Sequence, residues 1–332
     1  MKAAVFHGPR DIRLEEVEKP RLEEGEVLLR VRACGICGSD LHTYRHGMFS
    51  EFLGLPVEGG CILGHEFSGE VAEIHGDVAG VEVGDRVVTV SRGANAEYVK
   101  IGPSEIGLLM RFDESVSFAE AATTEPLGTS LHAVDLADPE DGEIHVIMGA
   151  GIIGLGVLQC IRSRSSARTV VVDLSDKRLA TARRLGADLT LNASKIDPVL
   201  RMMGSGLLDL DVPLAGKADA VYDCAGVGKS FEGTSVLAQA VSIVKEDGKV
   251  IVVAVFEKEP EVGWNLVVRK GVRLFGSWAW SPEELAEASR LIGSGRIDRK
   301  PLISHTFALE DASKAYETQL REEEAIKVML TP

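Results

Sequence analysis

The sequence predicts an α/β protein with two domains, one β-rich and one a doubly wound parallel sheet. The length of 332 residues is more than one average core requires and is typical of two domains. The N-terminal part consists of short apolar segments separated by turns, whereas strand-like and helix-like segments alternate from residue 144 onward. A glycine-rich turn follows the first of these alternating strands, as in nucleotide-binding sheets. Together these observations predict the fold class.

Individual elements follow from hydrophobic periodicity and from cap and turn residues. In the β-rich part, strands are predicted at residues 2–6, 26–32, 67–74 and 86–90. The pattern changes near Ser117, which is a suitable N-cap for one helix through residue 137. In the second part, strands are predicted at 144–148, 169–173, 218–226, 249–256 and 272–278, and helices at 152–162, 177–185, 231–244 and 281–292. A last strand is predicted at 325–330, and residues 192–217 show no clear pattern.

Charge and composition restrict the partners. The formal net charge of −15 repels phosphate backbones and anionic bilayers, so neither nucleic acid nor a membrane is expected as a partner. The N-terminus has no apolar run of signal-peptide length and no segment is long enough to span a bilayer, which predicts a cytoplasmic protein. Five scattered cysteines in a long chain do not indicate a disulfide framework, and reduced thiols or a metal ligand fit better.

The glycine-rich turn Gly149-Ala-Gly151-Ile-Ile153-Gly154 lies between a predicted strand and a predicted helix, the context that a dinucleotide-binding motif requires. Asp173 ends the next strand, where a carboxylate binds the ribose hydroxyls of NAD and repels the additional phosphate of NADP. NAD is therefore the predicted cofactor, although Arg178 could accommodate a ribose phosphate. The alternative is a glycine-rich turn of another α/β protein, with Asp173 capping a helix at Ser175.

Potential metal ligands cluster in two segments of the β-rich part. The segment CGICGSDLH contains Cys37, Ser39, Asp40 and His42, and the segment LGHEFSGEV contains His65 and Glu66. Thiolate, imidazole and carboxylate are zinc ligands, and three protein ligands with one open position are typical of a catalytic zinc. The spacing Cys34-x-x-Cys37 could instead form a redox pair, but no βαβ unit surrounds it. A catalytic zinc site is the favoured interpretation.

These motifs resemble the medium-chain dehydrogenase/reductase family, in its zinc-containing alcohol and polyol dehydrogenase branch. The resemblance covers nearly the whole chain, through CGICGSDLH, GHEFSGEV, GDRVV, TTEPLGTSLHAV, GAGIIG and IKVMLT. It implies a GroES-like catalytic domain at residues 1–125, a Rossmann domain at 126–277, and a return to the catalytic domain at 278–332. It also implies hydride transfer from a secondary alcohol to NAD and a homodimeric or homotetrameric assembly.

The resemblance also implies roles for individual residues. Cys37 and His65 are implied zinc ligands, and either Glu66 or Glu125 fills the third place, with charge counting favouring one carboxylate at a time. Asp40 resembles a carboxylate that orients His65, and Ser39 with His42 resembles a proton relay. The implied cofactor contacts are Thr129, Gly149, Gly151, Ile153, Gly154, Asp173, Arg178, Val255 and Lys327. Tyr44, Phe49, Phe52 and Trp278 are expected in the substrate pocket wall, and the alternative for each is a place in the core.

One departure from the family concerns a lobe with four closely spaced cysteines that holds a structural zinc in relatives. Here the segment VVTVSRGANAEYV passes through that place, and the cysteines other than Cys37 are too dispersed to replace it. We therefore expect one catalytic zinc per chain. An acid in the ligand set favours a polyol, a vicinal diol or an amino alcohol as substrate. The alternative is a zinc-free relative, either a quinone reductase or a nucleotide-binding structural protein.

Overall fold

A computed structural model describes residues 1–47, 60–203, 216–225, 234–321 and 323–332. The chain forms two compact units. The first unit consists of Met1–Glu125 together with Leu285–Pro332, and the inserted unit consists of Pro126–Glu284. The chain therefore re-enters the first unit at Leu285, whereas the sequence predicted the return at residue 278. Among the described helices, none combines the length and the apolar character needed to cross a membrane.

The first unit begins with short strands and two helices. In chain order they are β1 (Lys2–Gly8), β2 (Asp11–Glu16), β3 (Glu26–Gly35), α1 (Gly38–His46), β4 (Cys61–Ile62), β5 (Glu66–His75), β6 (Arg86–Thr89), β7 (Tyr98–Ile101), β8 (Met110–Arg111) and α2 (Phe118–Ala121). The sequence predicted one helix from Ser117 to residue 137, but the structure has α2 and a separate α3 (Thr124–Ala137). Pro126 has no backbone N–H and suits only the first turn of a helix, so a new helix begins just before it, at Thr124.

The inserted unit alternates strands and helices, as the sequence predicts. Its elements are β9 (Ile144–Met148), α4 (Ile152–Arg164), β10 (Arg168–Asp173), α5 (Asp176–Arg184), β11 (Leu189–Asn192), α6 (Pro198–Met203), β12 (Ala218–Asp223), α7 (Val236–Ile243), β13 (Val244–Val252), α8 (Trp264–Lys270) and β14 (Arg273–Gly276). Of these, β11, α6 and α8 were not predicted. Helix α9 (Pro282–Gly293) begins in this unit and continues into the first. The returning segment adds β15 (Ile303–Ala308), α10 (Ala312–Gln319) and β16 (Lys327–Thr331) to the first unit.

The sheet of the inserted unit is parallel, with the strand order β11-β10-β9-β12-β13-β14. This is the order of a Rossmann fold, in which the ligand crevice lies at the carboxyl ends of the strands where the order reverses. The reversal falls between β9 and β12. The strands are apolar and buried, and their side chains form one core with the helices α6, α7 and α8.

The first unit contains a seven-stranded sheet with the order β15-β16-β3-β5-β6-β8, in which β7 also pairs with β3. The last strand of the chain, β16, therefore lies inside this sheet. It runs parallel to β15 and antiparallel to β3, where Met329 pairs with Gly35. On the other side of β3, Gly35 pairs with Glu66 of β5. Strand β3 thus brings the start of β5 and the C-terminal strand to the same place.

Candidate active site

The predicted zinc ligands Cys37, His65 and Glu66 come together in the first unit. Cys37 follows β3 as the N-cap of α1, and His65 and Glu66 stand at the start of the neighbouring strand β5. Each of the three offers one ligand atom, and these atoms all lie within 4.8 Å of one another. The donor set is the one that zinc prefers, so the residues present fit a zinc ion.

Asp40 holds the segments that carry these ligands together. Its Oδ2 accepts a hydrogen bond from the backbone N–H of Cys37 at 3.0 Å, and its Oδ1 lies 3.7 Å from Nδ1 of His65. The backbone N–H of Gly64 also points to Oδ1, at 3.4 Å. The separation of 3.7 Å is longer than a hydrogen bond, so the role of Asp40 in orienting the imidazole of His65 stays a prediction.

Charges in this cluster shift the pKa values of its members. Burial opposes protonation of His65, but the charges of Cys37 and Asp40 raise its pKa well above the ordinary value. Burial would raise the pKa of Asp40, but the neighbouring His65 lowers it. Burial and the charge of Glu66 raise the pKa of the Cys37 thiol. The anionic groups therefore favour a positive charge among them, as a metal ion would supply.

Lys327 lies beside Glu66, a contact that the sequence did not predict. Its ammonium group forms an ion pair with the Glu66 carboxylate and donates a hydrogen bond to the carbonyl of Ile36 at 2.8 Å. Gly35 leaves the space for this pair, because a Cβ there would lie 2.6 Å from Oε2 of Glu66 and 2.7 Å from Cε of Lys327. The pyrophosphate contact that the resemblance implied for Lys327 stays a prediction, and in this structure its buried ammonium group has these partners.

Glu125 is not part of the group formed by Cys37, His65 and Glu66. It lies in the first turn of α3 and is half-buried. Its charge nevertheless contributes to raising the pKa of Lys327, although burial opposes this and Glu66 contributes more. The charges of both Glu66 and Glu125 therefore favour the protonated form of Lys327, and Glu66 also forms an ion pair with it.

Ser39 and His42 both lie on α1, immediately after Cys37. Their spacing of three residues puts them on the same face of the helix. Ser39 is half-buried and His42 is buried. The proton relay remains a prediction for these two residues.

The three glycines of the turn after β9 differ in their surroundings. Gly149 has φ +101°, and a Cβ there would lie 2.6 Å from the carbonyl oxygen of Cys224, while a Cβ on Gly154 would overlap with the carbonyl oxygen of Gly149. These two glycines permit the turn and the close packing of α4 on the sheet. A Cβ on Gly151 would meet no atom within 4 Å. Gly151 thus borders open space at the N-terminus of α4, where a pyrophosphate can approach.

Asp173 ends β10 and is linked to the same turn. Its Oδ2 accepts a hydrogen bond from the backbone N–H of Ala150 at 2.7 Å, and its Oδ1 accepts one from the N–H of Ser175 at 2.8 Å. Nη1 of Arg178 lies 3.9 Å from Oδ2. Both carboxylate oxygens keep acceptor capacity for ribose hydroxyls. The hydroxyl of Ser175, not Asp173, caps α5 through the N–H of Arg178.

The other predicted cofactor contacts lie in the inserted unit. Thr129 is half-buried on α3, and Val255 is half-buried in the segment after β13. The carbonyl of Ile153 accepts a hydrogen bond from the Ser130 hydroxyl at 3.1 Å, which joins α4 to α3. Their contacts with a nucleotide remain predictions.

The residues expected in the pocket wall have different surroundings. Tyr44 is 1% exposed and packs in the core of the first unit, with its hydroxyl donating to Glu317 at 2.9 Å. Trp278 is 61% exposed. Phe49 and Phe52 lie outside the described residues. The sequence could not distinguish Tyr44 from a pocket residue, because an aromatic residue suits both places.

One further residue beside this site was not predicted. Asn95 is buried and donates a hydrogen bond from Nδ2 to the hydroxyl of Tyr316 at 2.8 Å. It stands in the polar segment SRGANAE, which carries no signal for a buried amide. For Lys327, the unpredicted feature is its pairing with Glu66, for which the only signal is a cation within the apolar run IKVML.

The comparisons with known proteins agree with this geometry. Residues 23–126 match the family profile "Alcohol dehydrogenase GroES-like domain", and residues 153–294 match "Zinc-binding dehydrogenase". Sorbitol dehydrogenase of Bos taurus is 33% identical, over 98% of this chain and 94% of that protein. Erythritol/L-threitol dehydrogenase of Mycolicibacterium smegmatis is 30% identical, over 100% of this chain and 98% of that protein.

A solved structure agrees in fold over the whole length. The crystal structure of 2R,3R-butanediol dehydrogenase from Bacillus subtilis superposes with a TM-score of 0.84, at 27% identity, over 100% of this chain and 99% of that chain. The likeness therefore extends over both domains of the chain. The chain belongs to the zinc-type alcohol and polyol dehydrogenase branch of the medium-chain dehydrogenase/reductase family and is an oxidoreductase that acts on CH–OH groups.

Proposed function

We propose that this dehydrogenase oxidises a secondary hydroxyl group of a polyol, vicinal diol or amino alcohol, with NAD as the hydride acceptor and one zinc ion per chain. The observation that carries the proposal is the grouping of Cys37, His65 and Glu66, with ligand atoms within 4.8 Å of one another. A quinone reductase or a structural nucleotide-binding protein without zinc would not need this donor set. That alternative is therefore not favoured.

The ligands that would hold zinc are the Cys37 thiolate, the His65 imidazole and one carboxylate. Glu66 is the stronger candidate, because it belongs to the buried group and Glu125 does not. One carboxylate and one thiolate would leave Zn²⁺ formally neutral, whereas a second carboxylate would make it a weaker Lewis acid. When bound, zinc would supply stabilisation of negative charge on the substrate oxygen, and the nucleotide would supply the hydride acceptor.

Ser39 and His42 are proposed to carry the substrate proton away. A serine hydroxyl can accept one proton while it donates another, and imidazole is the side chain that changes charge near neutral pH. Their three-residue spacing on α1 puts the two groups within reach of each other. Asp40 fixes the start of the same helix through the N–H of Cys37 and keeps the relay aligned with the ligand cluster.

NAD is proposed over NADP because Asp173 ends the strand that follows the glycine turn. Its carboxylate can accept hydrogen bonds from both ribose hydroxyls, and its charge disfavours a ribose phosphate. Arg178 lies 3.9 Å from this carboxylate and reduces that charge effect without removing it.

A substrate with two adjacent polar groups is supported by the two carboxylates near Lys327. A carboxylate that does not bind zinc can accept a hydrogen bond from a second hydroxyl or amino group of the substrate. The relatives named after sorbitol, erythritol and L-threitol, and butanediol point to the same substrate class.

The protein is proposed to act on its small-molecule substrate as a homodimer or homotetramer. Strand β14 ends the parallel sheet, and Trp264 and Val268, four residues apart on the neighbouring helix α8, are 63% and 80% exposed. Within the described residues, exposed apolar side chains and a strand that ends a sheet each favour association with a second copy.

The first test is metal content and activity of protein purified without added zinc. We expect about one zinc per chain and NADH formation with diols, sugar alcohols or amino alcohols. Cys37→Ser should lose the metal and turnover but still bind NADH. The matched control is Cys61→Ser, at a half-buried thiol outside the cluster, which should retain the metal, turnover and NADH binding. Full turnover by a zinc-free preparation, or by Cys37→Ser, would refute the proposal. Two zinc ions per chain would refute the single site.

A further inference from the structure

The turn that carries His65, formed by Leu63, Gly64 and His65, is held from behind by the short segment 94–96. The N–H of Asn95 donates to the carbonyl of Leu63 at 2.9 Å, and the N–H of Ala94 donates to the carbonyl of Gly64 at 3.1 Å. On the other side of the segment, the carbonyl of Asn95 accepts a hydrogen bond from the N–H of Ala4 in β1, at 2.8 Å. The His65 turn is therefore fixed to β1 through residues 94–96.

The side chain of Asn95 reaches the same turn. Gly64 has φ +89°, and a Cβ there would lie 2.5 Å from Oδ1 of Asn95. The Asn95 amide thus lies directly against the residue that precedes His65. Its Nδ2 donates to the Tyr316 hydroxyl at 2.8 Å, and both side chains are almost completely buried. Within the described residues, Tyr316 is the hydrogen-bonding partner of this amide.

Tyr316 connects the amide to the helix that carries Cys37. It lies on α10, and its ring packs on that of Tyr44 of α1, with centroids 5.1 Å apart. Burial raises the pKa of the Tyr316 phenol well above its ordinary value, so the hydroxyl is neutral. The ring contact with Tyr44 and the hydrogen bond to Asn95 therefore link α1 to the segment behind the His65 turn.

We propose that Asn95 and Tyr316 are positioning residues for His65. The Tyr316 hydroxyl holds the Asn95 amide in place, and the amide holds the turn that directs the His65 imidazole towards the metal. This rests on the zinc role proposed for His65. Because residues that orient metal ligands typically contribute 10- to 100-fold in metal affinity, removing either partner should weaken zinc binding by about that factor.

The test compares Tyr316→Phe and Asn95→Leu with the wild-type protein. Tyr316→Phe removes one oxygen and keeps the ring, so the protein should fold even if Asn95→Leu does not. The matched control is Tyr222→Phe, which removes a hydroxyl from an equally buried tyrosine of the inserted unit, bonded there to His145 at 3.0 Å. Zinc affinity is measured by competition with a chromophoric chelator, and ligand geometry by the visible absorption of the Co²⁺-substituted protein.

We expect Tyr316→Phe to weaken zinc affinity about 10- to 100-fold and to alter the Co²⁺ spectrum, with NADH binding unchanged. Tyr222→Phe should lower the melting temperature but leave zinc affinity and the spectrum as in the wild type. If Tyr316→Phe lowers only the melting temperature, the pair is core packing and the inference is wrong. If the wild-type protein itself binds neither metal, the proposed function fails and this inference fails with it.

Discussion

The ammonium group of Lys327 and the carboxylate of Glu66 form an ion pair in which both side chains are 1% exposed. They meet because Gly35, on the strand between them, has no side chain to separate them. Lys327 thus neutralises a proposed zinc ligand from the last strand of the chain. Breaking a buried pair by removing one partner leaves the other charge without compensation.

Lys327→Met should therefore destabilise the zinc-free protein more than the zinc-bound protein. Removing the cation should cost about 3–5 kcal/mol in the metal-free protein, whereas bound zinc would offset the Glu66 charge. We expect the rise in melting temperature on adding zinc to be larger in the variant than in the wild type. Lys270→Met is the control. Nζ of Lys270 donates to the carbonyls of Val241, Ser242 and Val244, and it forms no ion pair with a carboxylate among the described residues. An equal zinc effect in Lys327→Met and the wild type would contradict this role.

Glu66 and Glu125 should be able to replace each other in the ligand set. Glu66→Gln or Glu125→Gln alone should lower turnover and retain zinc, while the double variant should lose zinc, because Cys37 and His65 alone are too few ligands. Zinc content and rate are measured on the same preparations. Glu120→Gln is the matched control, at a buried carboxylate that caps α2 through Ser117. Complete loss of metal from one single variant would identify that glutamate as a fixed ligand.

Asp173→Ser should shift the cofactor preference towards NADP. The change removes the charge that disfavours a ribose phosphate and leaves Arg178 available to bind it, so the NADP-to-NAD ratio of kcat/KM should rise at least about 10-fold, or about 1.4 kcal/mol. Asp176→Asn is the control, because Asp176 is an exposed acid of the same segment that pairs with Lys195 and Asn192. An unchanged ratio in Asp173→Ser would show that this carboxylate does not discriminate between the cofactors.

Asp223→Asn should stabilise the protein above about pH 6. Burial raises the pKa of Asp223 to about 6 in the folded state, from its ordinary value of 3.8. The Asp223 carboxyl therefore binds its proton more tightly in the folded state than in the unfolded state. The stability that this proton contributes is fully present below pH 3.8 and is lost as the pH rises to about 6. The neutral amide avoids this loss, which amounts to roughly 3 kcal/mol. Melting temperatures of the two proteins should agree near pH 4 and diverge towards pH 7; parallel curves would contradict the prediction.

The local motifs were predictable and the long-range contacts were not. Cys37, His65 and the glycine turn follow from short segments whose residue types and spacing already indicate the chemistry. The pairing of Lys327 with Glu66 depends on the register of β16 against β3, which the periodicity of either strand does not encode. The same applies to Asn95 and Tyr316, which are 221 positions apart in the chain.

Short or weakly patterned elements were also missed. Helix α1 was not predicted, because the residues after Cys37 show no apolar face, and its first turn is stabilised by Asp40 through a hydrogen bond to the cap residue. Strand β11 lies at the edge of the parallel sheet and has only four residues, LTLN, whose alternation is too short to identify a strand. Tertiary packing decided both elements.

The place of β16 inside the seven-stranded sheet has a consequence for the newly made chain. β16 follows β3 by most of the chain, so it leaves the ribosome long after the strand with which it pairs. Until β16 has been made, the backbone at Cys34 and Gly35 lacks its partners Leu330 and Met329 and forms an open strand edge that favours wrong pairing. Closure of this long loop therefore comes late in folding, and a nascent chain that is truncated before β16 would expose an incomplete sheet to aggregation.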